Sequence, residues 1–365
     1  MAKPPPTKGS DEELRLLEGI GLIPPSVSTD ALAVLRERAA AGPVYRWECR
    51  GRVRLLVFDP VLAAETACPR VQALAVPPSR DTRERRWASS FLVEAAHGGG
   101  PRTARLTEAA QNAWNDPRQI QARQELHARF LARYKPGLLR PLGRDLREHA
   151  LHVAVLWTEG RGDGEATRIL EAATGGGEAA AQHYRRRLAA IPDAGTGCGV
   201  LAGLSEAGPE ALVDAALFAE LVARVLGDLL VAMGRVLCDG EGRGDSGNAA
   251  LLERVLHDDP PWWIHVRETV HEYRLGIHRL PPGTRIFVPV PLLAEGGSVP
   301  TVAVGHPRAL ALGANLCPPL RLLPDHARHL GGGLAAVGRL EPVVSVRFAG
   351  ADGRFAPDTM GVHLR

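Results

Sequence analysis

The sequence predicts a mainly α fold with a small β region, built as a single intertwined domain. Three observations carry that reading. A β-hairpin followed at once by a helix stands near the N-terminus (44–68), one helix that is apolar on nearly all sides spans 209–237, and after a loop at 240–247 the chain turns to short β pieces. Strand pieces near both ends share one sheet only if those ends come together, so the chain cannot be two domains in series. With 365 residues and 45% hydrophobic content it is long and apolar enough to bury a large core.

Each element has a local cause. Residues 1–10, rich in Pro, Lys and Ser, are expected to be a disordered tail, leaving 11–365 as the domain, which opens with a short helix from about Asp11. The stretch 30–41, DALAVLRERAAA, has helical apolar spacing and stops at Gly42-Pro43. Residues 44–49 and 53–58 flank Arg50-Gly51 as a hairpin, and Asp59-Pro60 opens a helix through Cys68. From 116 to 156 the pattern is almost continuously helical, with breaks at Pro136-Gly137 and Pro141. Glycine breaks at 161–164 and 175–177 precede a helix over 178–191, whose Arg185, Arg186 and Arg187 read as a solvated face. The helix at 209–237 should cross the middle of the molecule. After the glycine-rich loop come a short helix, β pieces at 262–266, 273–275 and 285–290, a helix around 325–337, and a β pair at 343–348 and 360–364 joined by a turn at 350–353.

Composition narrows the function classes. A formal charge of +3 from 44 basic and 41 acidic residues gives no field that would gather nucleic acid or an anionic membrane. No apolar run is long enough for a signal peptide or a membrane span, so a soluble, cytoplasmic protein is expected. The five cysteines (Cys49, Cys68, Cys198, Cys238, Cys317) are odd in number and never in CxxC spacing, which argues against a zinc site or a disulfide framework. Four read as buried small hydrophobes, and Cys317 is set apart by its neighbours. No GxGxxG, phosphate loop, HExxH or Ser-His-Asp signature appears. His265, His271 and His278 stand in strand-like segments, away from helical metal spacing.

Motif order gives a sharper expectation. Residues His257-Asp258-Asp259-Pro260-Pro261, then Arg267, then the run 276–284 (GIHRLPPGT) and the loop 310–319 (LALGANLCPP) follow one another as in the cytochrome P450 family, which this chain resembles. In that family a Glu-x-x-Arg helix leads into a Pro turn, a strand carries an Arg that meets a heme propionate, and a glycine-rich loop presents the cysteine ligand. The resemblance implies the cytochrome P450-like fold, with a shortened meander: the stretch between Thr284 and Leu310 is about half the family's length and lacks its Asn-Arg-Asp-Pro segment.

The departures cluster on the cofactor. Arg254 and His257 stand where the family's buried Glu and Arg pair. In the long helix Asp228 stands where the family's proton-delivering acid belongs, while Leu229 replaces the alcohol and cannot hydrogen-bond oxygen or water; the plainer reading of Asp228 is a solvent-facing or partnered acid. Matching the helix that begins Asp116-Pro117 to the family's DPPxHxxxR segment puts Ile120 and Gln124 where two propionate partners belong. Buried carboxylates without cations cost several kcal/mol, and only Arg267 remains for that task. In the cysteine loop Gly313 and Cys317 match, whereas Pro319 stands for a Gly and removes an N–H. Cys317 reads either as a thiolate ligand or as an inert relic.

Two functions follow from the resemblance. The first is a catalytically inactive, heme-free pseudoenzyme with no cofactor, similar to the auxiliary proteins that bind and activate or stabilise deoxysugar glycosyltransferases in macrolide or anthracycline antibiotic biosynthesis. The motif at 16–23 (LLEGIGLI) adds to that closer likeness. The second is a divergent heme-thiolate oxidoreductase of secondary metabolism with peroxide-dependent or non-oxidative chemistry. It would bind heme b with Cys317 as axial ligand to the iron, Arg267 on a propionate and Asp228 as the catalytic acid. It would act on a small-molecule substrate, with a ferredoxin as redox partner.

Overall fold

The computed structural model describes residues 7–8, 29–49, 52–67, 73–75, 91–96, 100–175, 177–191, 197–204, 208–238, 247–258, 260–262, 264–293, 307–315, 317–342 and 361–364. The expected tail apart from 7–8, the helix from Asp11, the motif at 16–23, most of the loop at 240–247, the strand at 343–348 and the turn at 350–353 lie outside them.

The expected hairpin forms from β2 (Val44–Cys49) and β3 (Arg52–Val57), paired from Val44 with Val57 to Cys49 with Arg52. It is bounded by α1 (Thr29–Ala41) and α2 (Pro60–Ala67). The next neighbour of β3 is not local in sequence. Strand β9 (Arg285–Pro289) pairs with it in parallel, with Leu55 opposite Ile286, and β6 (Ile264–Thr269) pairs antiparallel with β9. Adding β1 (Thr7–Lys8) and β4 (Leu74–Ala75) gives one sheet in the order β1-β2-β3-β9-β6-β4. Both ends of the chain therefore build one sheet, and the intertwined single domain follows from that pairing.

The two-residue period of the strands sorts their side chains. Leu56, Phe58, Phe287 and Ile264 form one cluster with Leu35 of α1. Leu55, Val57, Ile286 and Val288 turn the other way, into the main core. The register puts His265 opposite Val288 and Arg267 opposite Ile286, so both polar side chains face that core.

The long helix runs as α10 (Pro209–Cys238), 30 residues or about 45 Å. It packs lengthwise on α6 (Leu142–Glu159), its main partner. Between the hairpin and α6 lie α3 (Phe91–Ala96), α4 (Pro101–Asn115) and α5 (Pro117–Leu131). Asp116 caps α5 by accepting from the Arg118 N–H, the role its Asp-Pro sequence dictates. Trp157 of α6 donates its indole N–H to the Ala110 carbonyl at 2.9 Å and lies between Trp114 and Phe218, at ring separations of 4.3 and 4.8 Å.

Helices α7 (Gly164–Thr174) and α8 (Glu178–Ala189) form a hairpin, α9 is Val200–Leu204, and α11 is Gly247–Asp258. Arg187 corrects the solvated-face reading: its guanidinium turns inward to bridge Glu159 and Asp163. After the hairpin of β7 (Tyr273–Leu275) and β8 (His278–Leu280) come α12 (Pro307–Ala311) and α13 (Leu323–Val337). Helix α13 crosses α10 closely, because a Cβ at Gly331 would sit 2.6 Å from the Met233 methyl. The C-terminal strand β11 (Gly361–Leu364) pairs with β10 (Leu340–Pro342) and with β5 (Leu139–Pro141). Among the described residues no helix is long and apolar enough to cross a membrane.

Candidate functional site

The cysteine loop is a compact turn fastened to strand β6. The Gly313 N–H donates to the Leu310 carbonyl at 2.9 Å, Ala314 to Ala309 at 2.8 Å, and Cys317 to Gly313 at 3.0 Å. Gly313 has φ +68°, and a Cβ there would lie 2.6 Å from the ring of Trp262. A residue with a side chain would thus be strained in its backbone and would collide with the indole. The Trp262 N–H donates to the Ala311 carbonyl at 2.8 Å, which explains why β6 begins at Ile264 and runs to Thr269 instead of covering 262–266. The Trp262 ring stacks on His265 with centroids 5.8 Å apart, and His265 Nε2 donates to the Leu310 carbonyl at 2.7 Å. Trp262 and His265 together clamp the loop to the sheet.

Cys317 is 1% exposed and belongs to the same continuous apolar core as Leu226, Leu229, Leu310 and Leu320. A flat porphyrin on the sulfur needs a gap, and a gap of that size would admit a water-sized sphere to the thiol. The packing does not fit one. Burial pushes the thiol up, with only the Leu320 N–H pulling the other way, so the sulfur is protonated and weakly nucleophilic at neutral pH. The two prolines after it give a 3-10 turn (Pro318–Leu322) before α13 starts, the altered start that Pro319 dictates. Cys198 and Cys238 are half-buried, less enclosed than the buried small hydrophobes expected, while the side chains of Cys49 and Cys68 lie outside the described residues.

Two polar groups near this loop fit a different demand. Arg267 is 4% exposed and donates Nη1 to the Val266 carbonyl at 3.1 Å; among the described residues no carboxylate pairs with it. Burial pushes its guanidinium down to about 10. Asn315, also 4% exposed, stands two residues before Cys317 in the loop, and neither amide atom has a hydrogen-bond partner among the described residues. His265 is pushed down to about 3, first by burial and then by the Arg267 charge. One strand therefore brings a neutral imidazole and an uncompensated cation into the core beside the loop.

The remaining expected residues fall elsewhere. Asp228 is the partnered acid of the two readings: it forms an ion pair with Arg147 of α6 at 2.9 Å. Leu229 is fully buried, and no hydroxyl stands at that turn. Arg254 and His257 lie on the exposed side of α11.

The match of Ile120 and Gln124 to propionate partners is corrected, since Ile120 is 40% exposed and Gln124 is exposed on the outer side of α5. The helix that reaches the cysteine loop is α4, which the sequence reading passed over. Its Thr103 and Thr107 line a shallow open groove of roughly 630 Å³ together with Pro318, next to Cys317. Neither threonine carries a charge, so the cationic partners are absent at the corrected positions too. The apolar spacing of Leu106, Ala110 and Ala113 after Pro101 was the available signal.

No family model and no curated protein sequence matches the chain. Solved structures do. The chain is similar to cytochrome P450 CYP109Q5 from Chondromyces apiculatus, at 13% identity over 93% of this chain and 96% of that one, with a TM-score of 0.68. A retinoic acid-bound cyanobacterial CYP120A1 matches at 12% identity over 95% and 97%, TM-score 0.66. Ligand-free CYP164A2 of Mycobacterium smegmatis matches at 14% identity over 96% and 99%, TM-score 0.64. At these identities the likeness establishes the fold: the chain has a cytochrome P450-like fold over nearly its whole length.

Proposed function

We propose that this chain is a pseudoenzyme on the cytochrome P450 scaffold: a heme-free auxiliary protein that binds a glycosyltransferase of natural-product biosynthesis and activates or stabilises it. The observation that carries the reading is the enclosure of Cys317 in the apolar core, protonated and with no space against its sulfur. The rest of the oxygen-activating apparatus points the same way. Asp228 is spent on Arg147, Leu229 fills the alcohol position, and Thr103 and Thr107 offer no cation to a propionate. Most of the fold's layout is kept while its cofactor contacts are replaced. That pattern suits a protein selected for its surface.

The test is co-expression with a deoxysugar glycosyltransferase of a natural-product pathway. The chain should raise that enzyme's soluble yield or turnover and co-elute with it, and a monomer that never associates and changes neither would sink the proposal. The heme-thiolate enzyme is kept as a second reading because Arg267 is a buried cation that no carboxylate pairs with, and Asn315 a buried amide without a hydrogen-bond partner, among the described residues. The absorption spectrum of the purified chain with added hemin separates the two. The pseudoenzyme gives no Soret band beyond free hemin, whereas a heme-thiolate protein gives one that Cys317→Ser abolishes.

A further inference from the structure

The helix that follows the cysteine loop meets a group of imidazoles that the proposed function leaves unused. His326 stands in the first turn of α13 and His149 in the middle of α6, both buried, with their Nε2 atoms 3.0 Å apart. The ring centroids are 5.3 Å apart and the planes differ by 13°. That separation exceeds the N···N distance by about two ring radii, so the nitrogens point at each other along one line. A zinc ion bonded to both at ~2.0–2.1 Å would need them about 4 Å apart on that line. What joins them is a proton: one Nε2 donates and the other, bare, accepts.

The surroundings are poor in negative charge. Helix α5 contributes His127, edge-on to both rings at 6.2 and 6.0 Å, and Arg123, stacked on Trp114 with Nη2 on its carbonyl. Arg133 and Tyr134 follow α5, and α13 adds His329. On α6 itself stand His152, Glu148 and Asp145. Asp145 is taken by Tyr134 and Arg140, and Glu148 lies at 3.3 Å from Arg133 and 3.6 Å from His152. Among the described residues no carboxylate touches either imidazole of the pair. Both are held neutral, below their ordinary value, by burial first and then by the neighbouring imidazoles. A second proton on that line makes both nitrogens donors and leaves one ring positive, and a third, on the remaining bare Nδ1, sets two positive rings against each other. The contact between α6 and α13 at this point then becomes repulsive.

We propose that the His149–His326 hydrogen bond is a proton-operated latch, whose opening releases α13 from α6 and loosens the cysteine loop joined to it by the 3-10 turn Pro318–Leu322. The loop is held by this helix on one side and by the Trp262 clamp on the other, so freeing the helix exposes Cys317.

The full chain is treated with 4,4′-dithiodipyridine, which reacts with thiols at acid pH, from pH 7.5 to 4.5, and labelling of Cys317 is followed by mass spectrometry. Rates are normalised to the denatured chain. Below the ordinary imidazole pKa each released histidine makes opening about tenfold easier per pH unit, so two give roughly a hundredfold. His149→Gln and His326→Gln each reduce the slope to about tenfold, and the double variant is nearly flat. A double variant with the wild-type slope, or wild-type labelling that ignores pH, overturns the latch. Hydrogen exchange on the wild-type chain tests it without variants. Peptides of α13 lose protection together with Cys317 labelling while α10 keeps its own; protection lost everywhere at once, or nowhere, overturns it.

Discussion

Replacing Arg267 with methionine should make this protein more stable. The guanidinium sits on the core face of β6, 4% exposed, with one backbone carbonyl as acceptor and no carboxylate among the described residues. Burial pushes it from 12.5 down to about 10. At about 1.4 kcal/mol per pKa unit, keeping the charge there costs about 3 kcal/mol. Methionine keeps the stem's apolar packing and removes the charge, and even buried ion pairs replaced by well-packed apolar groups are often neutral or stabilising by about 1–4 kcal/mol. Guanidinium chloride unfolding, followed by tryptophan fluorescence, should show a midpoint shifted upward at unchanged m-value, equivalent to about 1–3 kcal/mol. A variant less stable than wild type by more than ~1 kcal/mol would refute the reasoning, because the guanidinium would then have an anionic partner supplied by the fold. Repeating the titration with hemin adds the functional half: hemin that stabilises wild type and not Arg267→Met would mark a propionate contact and favour the enzyme reading.

Three further outcomes are expected. His265 and His326 are held down to about 3 by burial, so the folded state binds fewer protons than the unfolded one below pH 6.5. Stability is therefore full above that pH and falls as pH drops, by about 3 kcal/mol for the two together at pH 5.5, and identical denaturation midpoints at pH 7.5 and 5.5 would contradict it. Asp228→Asn should cost about 1 kcal/mol through the lost Arg147 ion pair while leaving partner binding intact; a double-mutant cycle with Arg147→Met that shows no coupling would remove the structural role. Gly313→Ala should cost at least ~2 kcal/mol, since it combines φ +68° with a Cβ 2.6 Å from the Trp262 ring. Trp262→Ala in the same chain should recover part of that loss, and an additive pair in thermal melts would argue against the clash.

The layout was legible wherever backbone chemistry is local. The Gly276 and Gly283 turns, both at positive φ, fix the β7–β8 hairpin and its exit, and the apolar run of α10 admits no reading but a central helix. The helix α4 was harder. Its Ala and Thr residues carry a weak amphipathic signal, while the next helix opens with Asp-Pro, a generic N-cap that looked more like a motif than it was. That is how Ile120 and Gln124 came to stand for positions that α4 supplies. Arg187 and Asp228 show the other limit: a charged residue reads alike in sequence whether it meets solvent or a partner on another helix. Cys317 is the extreme case, because whether a sulfur is enclosed or open depends on what segments distant in sequence do around it.

The sheet built from both ends of the chain has a kinetic consequence. Leu55 pairs with Ile286, so β3 stays an unpaired edge until the ribosome has made most of the protein. Folding therefore waits on a very long loop closure and cannot proceed piecemeal from the N-terminus. During that interval β3 offers bare N–H and C=O groups to any strand that passes. Chains shortened before β9 should aggregate instead of folding in part, and refolding should slow far more than the helical content would suggest.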